Sequence, residues 1–306
     1  MTGPLAYLNG RFLPFAEAAL PLHDAGFVSG ATIVDNARTF RHTLFRWSDH
    51  LARFRRDCTA CYVPLDATDE HLTATAEELV AHNAKLLTPG GELQLVTFAT
   101  PGPLGLYLGA ANGPPTLGMV TYSLPFARYR PFFTEGVTLV LVGTHATDST
   151  VLPPTVKHRS RMHWHIADYT ARARSGKPSA LGIPTGPDGT LTETSIGNVL
   201  AVIDGTVTTP PRAAVLDGIS LRVTEELCHA MGVPFTEAPV PTHSLGVGEL
   251  LLTGTGFCLA GVRELVLPNS EPVRFDWPGP VFRELLAAWS DRVGVDVAKP
   301  FVEAGA

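Results

Sequence analysis

Only four lysines occur in the 306 residues, so each amine that could attack a carbonyl can be weighed in turn. Lys85 lies near the end of a predicted surface helix, Lys177 follows Gly176, and Lys299 sits beside Pro300; all three read as solvated. Lys157 differs. It follows Leu152-Pro153-Pro154-Thr155-Val156, a stiff extended approach, and immediately precedes a predicted helix. A lysine held on rigid apolar surroundings loses solvation of its charged form, which lowers its pKa and makes it a nucleophile toward carbonyls. By position alone, a structural or surface role still outweighs the chemical one.

Three further segments carry groups such chemistry would need. Leu216-Asp217-Gly218-Ile219-Ser220 runs directly into a predicted helix, where glycine permits close backbone approach and the amides of Ile219 and Ser220 form a natural anion site. Glycine before a helix is more often a plain cap. Glu193, in Leu191-Thr192-Glu193-Thr194-Ser195, is a carboxylate inside a polar strand-like run, for which an exposed strand carboxylate is the blander reading. Thr253-Gly254-Thr255-Gly256 closes the apolar strand Glu249-Leu250-Leu251-Leu252 with hydroxyl and amide donors, and turn chemistry explains it equally well. His158, His163 and His165 invite a metal reading, but residues 163 and 165 diverge on a helix, so no metal site is expected. Cys58-x-x-Cys61 has no second cysteine pair to complete a zinc site. Leu51, Phe54, Cys58 and Cys61 recur at helical spacing, which points to core packing.

The elements that must position these groups read as follows. Thr32 to Phe40 is a predicted strand, and Arg41-His42-Thr43 turns into Leu44-Phe45-Arg46. Ser48 stands where an N-cap is wanted for the helix carrying Leu51 to Cys61. A second helix is predicted over Asp69 to Leu87, then strands over Glu92 to Thr100 and Thr116 to Leu124. Pro125 to Pro131 lacks periodicity and reads as a connection. Beyond it come a strand over Gly136 to Val142, a helix over Arg159 to Ser175, a strand over Ala180 to Ile183, and a hairpin-like stretch turning at Pro187-Asp188-Gly189 and Asp204-Gly205. A helix starts after Asp217-Gly218 and stops at Gly232, and Pro280 to Val293 forms a closing helix. The expected organisation is a smaller α+β domain over 1–124, a linker over 125–131 and a larger domain over 132–306.

Bulk properties limit the alternatives. Hydrophobic residues make up 45%, charged residues 17%, and the formal net charge is -6, so neither a nucleic-acid binder nor a disordered chain is indicated. No 18-residue apolar run occurs and the first residues lack a basic-then-apolar leader, so membrane insertion and secretion are not expected. Four scattered cysteines suggest reduced thiols and a cytoplasmic location.

Taken together and in this order, these segments resemble the class IV aminotransferases, the fold type IV pyridoxal 5'-phosphate (PLP) enzymes, over about residues 5 to 265. Leu8-Asn9-Gly10, Asp24-Ala25-Gly26-Phe27 with Gly30, and Asp49-His50-Leu51-Ala52-Arg53 look like the family's N-terminal pattern. Lys157, Leu191 to Asn198, Thr209-Pro210-Pro211, Leu216 to Ser220 and Glu249 to Thr255 look like its C-terminal one. The resemblance implies a two-domain α/β (α+β) fold of the D-amino-acid aminotransferase type. It makes Lys157 the Schiff-base residue and general base. It has Glu193 pair with the pyridine nitrogen, and Arg53, the Ile219 and Ser220 amides and the Thr255 hydroxyl hold the 5'-phosphate. Arg38 and Gly256 are implied to face the substrate, although a structural ion pair suits Arg38 nearly as well. Family members are dimers with the active site between two domains, so a homodimer is implied.

Departures bear on the substrate. Branched-chain enzymes usually carry Phe-Glu-Gly where this chain has Val34-Asp35-Asn36. Lys157-His158-Arg159-Ser160-Arg161 is closer to the Lys-His-Leu-Asn-Arg of aminodeoxychorismate lyases, and Thr97-Phe98-Ala99 stands where Thr-Arg-Gly is common. The expected activity is amino transfer between a small amino acid, branched-chain ones included, and a 2-oxo acid. The alternatives are a lyase releasing pyruvate from aminodeoxychorismate and a catalytically silent PLP-fold binding protein.

Overall fold

Residues 3–147, 149, 152–242 and 248–305 are described in this computed structural model of the chain. They divide into two compact units. The first comprises the described residues up to Leu124 together with Val156–Arg161, and the second comprises 125–155 and 162–306 within the described range.

The first unit is built on a six-stranded antiparallel sheet. Its strands are β1 (Leu5–Leu8), β2 (Arg11–Pro14), β3 (Ile33–Phe40), β4 (Thr43–Leu44), β5 (Leu93–Thr100) and β6 (Thr116–Ser123), in the order β2-β1-β6-β5-β3-β4. A short helix α1 (Ala25–Val28) is capped by Asp24, whose carboxylate accepts from the Gly26 amide at 2.7 Å. Two longer helices, α2 (Trp47–Ala60) and α3 (Asp69–Ala84), pack on the sheet. Leu51, Phe54 and Cys58 of α2 and Leu72, Ala76 and Leu79 of α3 meet Tyr7, Leu95 and Met119 in one core. Each large side chain so buried contributes about 1.5–3 kcal/mol. Cys61 packs partly buried against the same core, and burial pushes the Cys58 thiol up to about 12, which leaves it inert.

Helix boundaries follow local chemistry, with some corrections to the sequence reading. Thr68 caps α3 by accepting from the His71 amide at 3.2 Å. Ser48 lies inside α2, because Arg46 adopts the left-handed conformation (φ 53°, ψ 37°) and takes the N-cap position itself. The α3 helix ends at Ala84, after which Leu86 and Leu87 amides bond three residues back, to Asn83 and Ala84.

The second unit contains β7 (Val137–His145), β8 (Leu181–Thr185), β9 (Asn198–Ile203), β10 (Thr206–Thr209), β11 (Phe235–Glu237), β12 (Glu249–Gly254), β13 (Cys258–Val266) and β14 (Val273–Arg274). Their order is β11-β10-β9-β12-β13-β7-β8, with β14 paired to β13. The centre, β10-β9-β12-β13, is antiparallel, while β13-β7-β8 and β10-β11 are parallel pairs. Asp204 (φ 48°) and Gly205 (φ 77°) make the β9–β10 turn. The helices are α4 (Phe126–Thr134), α5 (Met162–Ser175), α6 (Ile219–Met231), α7 (Pro280–Val293) and α8 (Lys299–Glu303).

Two segments differ from the sequence reading in ways that matter for the site. Residues 125–131, expected to be a connection, form most of α4 despite Pro131 inside it. Tyr129 and Phe132 pack on Phe257, and Phe133 stacks on Phe301 at 4.5 Å, so aromatic packing offsets the missing hydrogen bond. The helix expected from Arg159 starts only at Met162, because the residues before it pair with β3 instead.

Candidate active site

The backbone around Lys157 is an added edge on β3. Ile33 bridges His158 in antiparallel fashion, the Arg159 amide donates to the Thr32 carbonyl at 2.9 Å, and the Ser160 hydroxyl donates to Gly30 O at 2.8 Å. Lys157 itself is held from both sides. Its carbonyl accepts from the Val34 amide at 3.0 Å, and its own amide donates to Asp57 Oδ2 at 2.8 Å. Asp57 is on α2, 100 residues away in sequence, and is fully buried.

The same face of α2 carries His50 and Arg53, spaced 3 and 4 residues apart with Asp57, so all three turn toward β3. Arg53, 3% exposed, donates from Nε to Asp35 Oδ2 at 2.8 Å and from Nη2 to Asp35 Oδ1 at 2.9 Å. This two-pronged pair is the strong form of the interaction. His50 Nδ1 lies 2.6 Å from Asp35 Oδ1. Burial alone would raise the Asp35 carboxyl, but the Arg53 guanidinium and His50 outweigh it and hold it well below the usual carboxylate range. Burial lowers the His50 pKa, Asp35 opposes this, and the cations Arg53 and Lys157 lower it further. His50 is therefore neutral near pH 7. Facing an ionised Asp35, its Nδ1 must carry the proton and donate, which makes Nε2 the acceptor.

Arg38 lies one strand position beyond Ala37 and is 4% exposed. Its Nε donates to Thr39 O at 3.3 Å and its guanidinium stacks 4.1 Å over the Phe40 ring.

In the second unit, Glu193 begins a tight turn and bridges Asn198 across it. Thr194 closes the turn, its amide and hydroxyl both donating to Gly197 O at 2.9 Å. Asn198 Nδ2 donates to Glu193 Oε2 at 3.2 Å and to Leu216 O at 2.8 Å, so both hydrogens of one amide tie the carboxylate to the loop entering α6. The α6 helix begins after Gly218, which supplies no capping side chain. A Cβ on Gly218 would lie 2.2 Å from Asn198 Oδ1, so glycine is what allows this loop and that amide to coexist. Ile219 and Ser220 are buried at the helix start.

Supporting contacts fix the same region. Thr224 Oγ1 donates to Ser220 O at 2.8 Å and Thr253 Oγ1 to Cys258 O at 2.6 Å, with the two hydroxyls 3.4 Å apart. Thr253 also pairs with Asn198 in the β12–β9 ladder. Asp217 is clamped by Arg212 Nη1 and Arg222 Nε, each at 3.0 Å. Thr255 and Gly256 lie in the turn between β12 and β13, the first half-buried and the second buried against Tyr129, where a Cβ would stand 3.1 Å from the ring.

The structure thus gathers Lys157, Arg53, Asp35, His50 and Asp57 in the first unit, and Glu193, Ile219, Ser220 and Thr253 with Asn198 in the second. Asp35, His50, Asp57 and Asn198 gained no individual role from the sequence. Helical spacing of His50, Arg53 and Asp57 was the available signal for the first unit.

These residue types fit PLP. A clamped lysine beside a buried guanidinium suits a carbonyl-bearing phosphate ester. A carboxylate fixed by an amide, near an uncapped helix start behind an obligate glycine, suits a protonated ring nitrogen and a phosphate.

Comparison with known proteins agrees. The family model described as Amino-transferase class IV matches residues 32–265. A Methanocaldococcus jannaschii protein, named provisionally as a branched-chain-amino-acid aminotransferase, is 25% identical over 263 residues, covering 85% of this chain and 87% of the relative. The D-alanine aminotransferase of Staphylococcus aureus is 25% identical over 292 residues, covering 91% and 94%. The branched-chain amino acid aminotransferase of Escherichia coli superimposes with a TM-score of 0.81 at 18% identity, covering 99% of this chain and 98% of that one. Other structural neighbours, also branched-chain amino acid aminotransferases, were solved with N-(5'-phosphopyridoxyl)-L-glutamate and with pyridoxamine 5'-phosphate. With the family model spanning most of its length and a matching two-sheet fold, the chain belongs to the class IV aminotransferases, PLP-dependent enzymes of fold type IV.

Proposed function

We propose that this enzyme moves an amino group between a small amino acid and a 2-oxo acid, with Lys157 as the covalent anchor and proton carrier. The observation that carries the assignment is the clamp on Lys157. Its amide and carbonyl are both fixed, to Asp57 and Val34, against the β3–α2 pair that bears Arg53. A tether fixed at its backbone gives the amine one constant origin from which to reach a carbonyl, which favours repeated capture and release.

When bound, PLP supplies a carbonyl for amine capture and a ring that withdraws electrons from the substrate Cα. The chain's own groups supply the rest. Lys157 would hold the cofactor's carbonyl carbon and carry the proton taken from the substrate Cα. Glu193, oriented by Asn198, would pair with the ring nitrogen. The amides of Ile219 and Ser220 and the Thr255 hydroxyl would hold the 5'-phosphate. Arg53 is assigned to the same phosphate, and Asp35 holds its Nε–Nη2 edge, which fixes the plane of the guanidinium. Arg38 and Gly256 are assigned to the substrate.

The relatives' names favour a branched-chain amino acid or alanine as the amino donor. Exposed apolar side chains support a homodimer: Phe27, Leu106, Tyr107 and Leu108 in the first unit, and Met162, Ile166 and Tyr169 at helical spacing on α5. Reduced cysteines are in keeping with the cytoplasm, and among the described residues no helix is long and apolar enough to cross a membrane.

The test is half-transamination. The holoenzyme, mixed with a panel of branched-chain and small L- and D-amino acids and no oxo acid, should convert bound PLP to its pyridoxamine form with at least one of them. A cofactor that stays unchanged with every amino acid, or pyruvate released from aminodeoxychorismate with no acceptor present, contradicts the proposal.

A further inference from the structure

The structure assigns a positioning role to Asp57: its carboxylate fixes the backbone at Lys157 and so sets the reach of the lysine amine. This rests on the reading of Lys157 as the cofactor's anchor. Asp57 is fully buried on α2, and its two oxygens are divided between two tasks. Oδ2 accepts the Lys157 amide at 2.8 Å, and Oδ1 accepts Arg56 Nε and Nη2 at 3.1 and 2.9 Å. Burial raises the Asp57 carboxyl, and the Lys157 amide and Arg56 oppose this.

The arrangement is more than local packing. Residues 156–161 leave the chain of the second unit to join the first, so Lys157 has no helix or continuous strand behind it. Its backbone is positioned by β3 on the carbonyl side. On the amide side Asp57 is the fixing group, carried by the helix that also carries Arg53 one turn earlier. One rigid helix therefore indexes the anchor lysine and a phosphate-type cation to each other. Reactions that depend on an amine meeting a carbonyl at bonding distance are sensitive to such indexing, since a displacement of about 1 Å can cost on the order of a hundredfold in rate.

Deuterium exchange and two Asp57 variants test this. In the wild-type holoenzyme, the Lys157 amide should exchange with solvent deuterium as slowly as those of β3; exchange at the rate of an unstructured amide overturns the proposal without any variant. Asp57→Leu, which keeps the branched shape but removes the acceptor, should slow recapture of PLP by the apoenzyme about tenfold or more, followed by absorbance, and lower kcat more than it raises KM. Asp57→Asn, which keeps one oxygen for the Lys157 amide, should recover most of that loss. Equal impairment of both variants, or none in Asp57→Leu, would sink the positioning role. Thermal unfolding of each variant separates slow capture from loss of fold. If borohydride fails to fix the cofactor on Lys157 even in the wild type, it is the functional reading that fails; if the wild type is labelled there and Asp57→Leu behaves identically, only the role of Asp57 does.

Discussion

At the scale of single residues, the first unit depends on a buried charge cluster. Asp35 and Arg53 are each a few per cent exposed and pair at 2.8 Å. Asp35→Ala should destabilise the protein by about 3–5 kcal/mol in denaturant unfolding, because it strands a buried guanidinium. The cluster also sets a pH dependence. The His50 pKa is lower in the fold than its unfolded value of about 6.5, so below that pH the unfolded chain takes up a proton that the fold refuses. Stability present at neutral pH is then lost as the pH falls, by up to about 1.4 kcal/mol per pH unit from this one group. Asp35, held low, contributes stability above its unfolded value of about 3.9 and loses it only below that. Unfolding free energies measured from pH 7.5 to 4.5 should therefore decline, and His50→Gln should flatten the decline. A variant that retains the wild-type slope contradicts the assignment. Lys157 and Arg53 were singled out in the sequence by the motifs around them, and the structure buries Arg53 beside Asp35; Asp35 itself carried no such mark. Nor did Asp57, since its partner lies 100 residues away and nothing local signals a fixed backbone amide.

At the scale of elements, most strands and helices were legible from periodicity and punctuation. The α7 helix begins with Pro280 and ends before Gly294 (φ 69°), and α6 ends before Gly232 (φ 71°), where left-handed glycines stop a helix. The failures have physical causes. Pro125 and Pro131 masked α4, although Phe126, Tyr129, Phe132 and Phe133 carry helical spacing. Residues 157–160 went to pairing with β3, a tertiary choice that overrides their helix-like neighbourhood. The start of α6 gives a prediction of its own. In Gly218→Ala the added methyl would meet Asn198 Oδ1, so either the loop or the amide that orients Glu193 must move. Overpacking of this kind costs roughly 1–3 kcal/mol of stability, and displacement of that amide or of the helix start should lower PLP affinity. Titration of the apoenzyme with PLP, followed by fluorescence, checks it, and an unchanged affinity contradicts the placement of the phosphate at this helix.

At the scale of the whole molecule, the exposed apolar side chains in both units argue for association. Leu106 and Leu108 are 84% and 66% exposed beside Tyr107, and Met162 is 70% exposed at the start of α5. A net charge of -6 keeps such a chain soluble without covering these patches. Light scattering should give twice the chain mass, and Leu106→Glu should shift the population toward the single chain at micromolar concentration. A monomer at high concentration in the unaltered protein contradicts the dimer. Composition alone excluded other classes of protein but carried no sign of the division of the chain. That division sends Val156–Arg161 back to the first unit, because Val156 joins the core beneath β3 and its neighbours complete the strand edge.

Covalent attachment of PLP at Lys157 is open to chemical trapping: reduction of the holoenzyme with borohydride, followed by proteolysis and peptide mass analysis, locates the modified lysine. The added pyridoxyl phosphate mass should appear on the peptide containing Lys157, with none on those containing Lys85, Lys177 or Lys299. Label on any of those three lysines, or a Lys157→Ala variant that still fixes the cofactor covalently, would contradict attachment at Lys157.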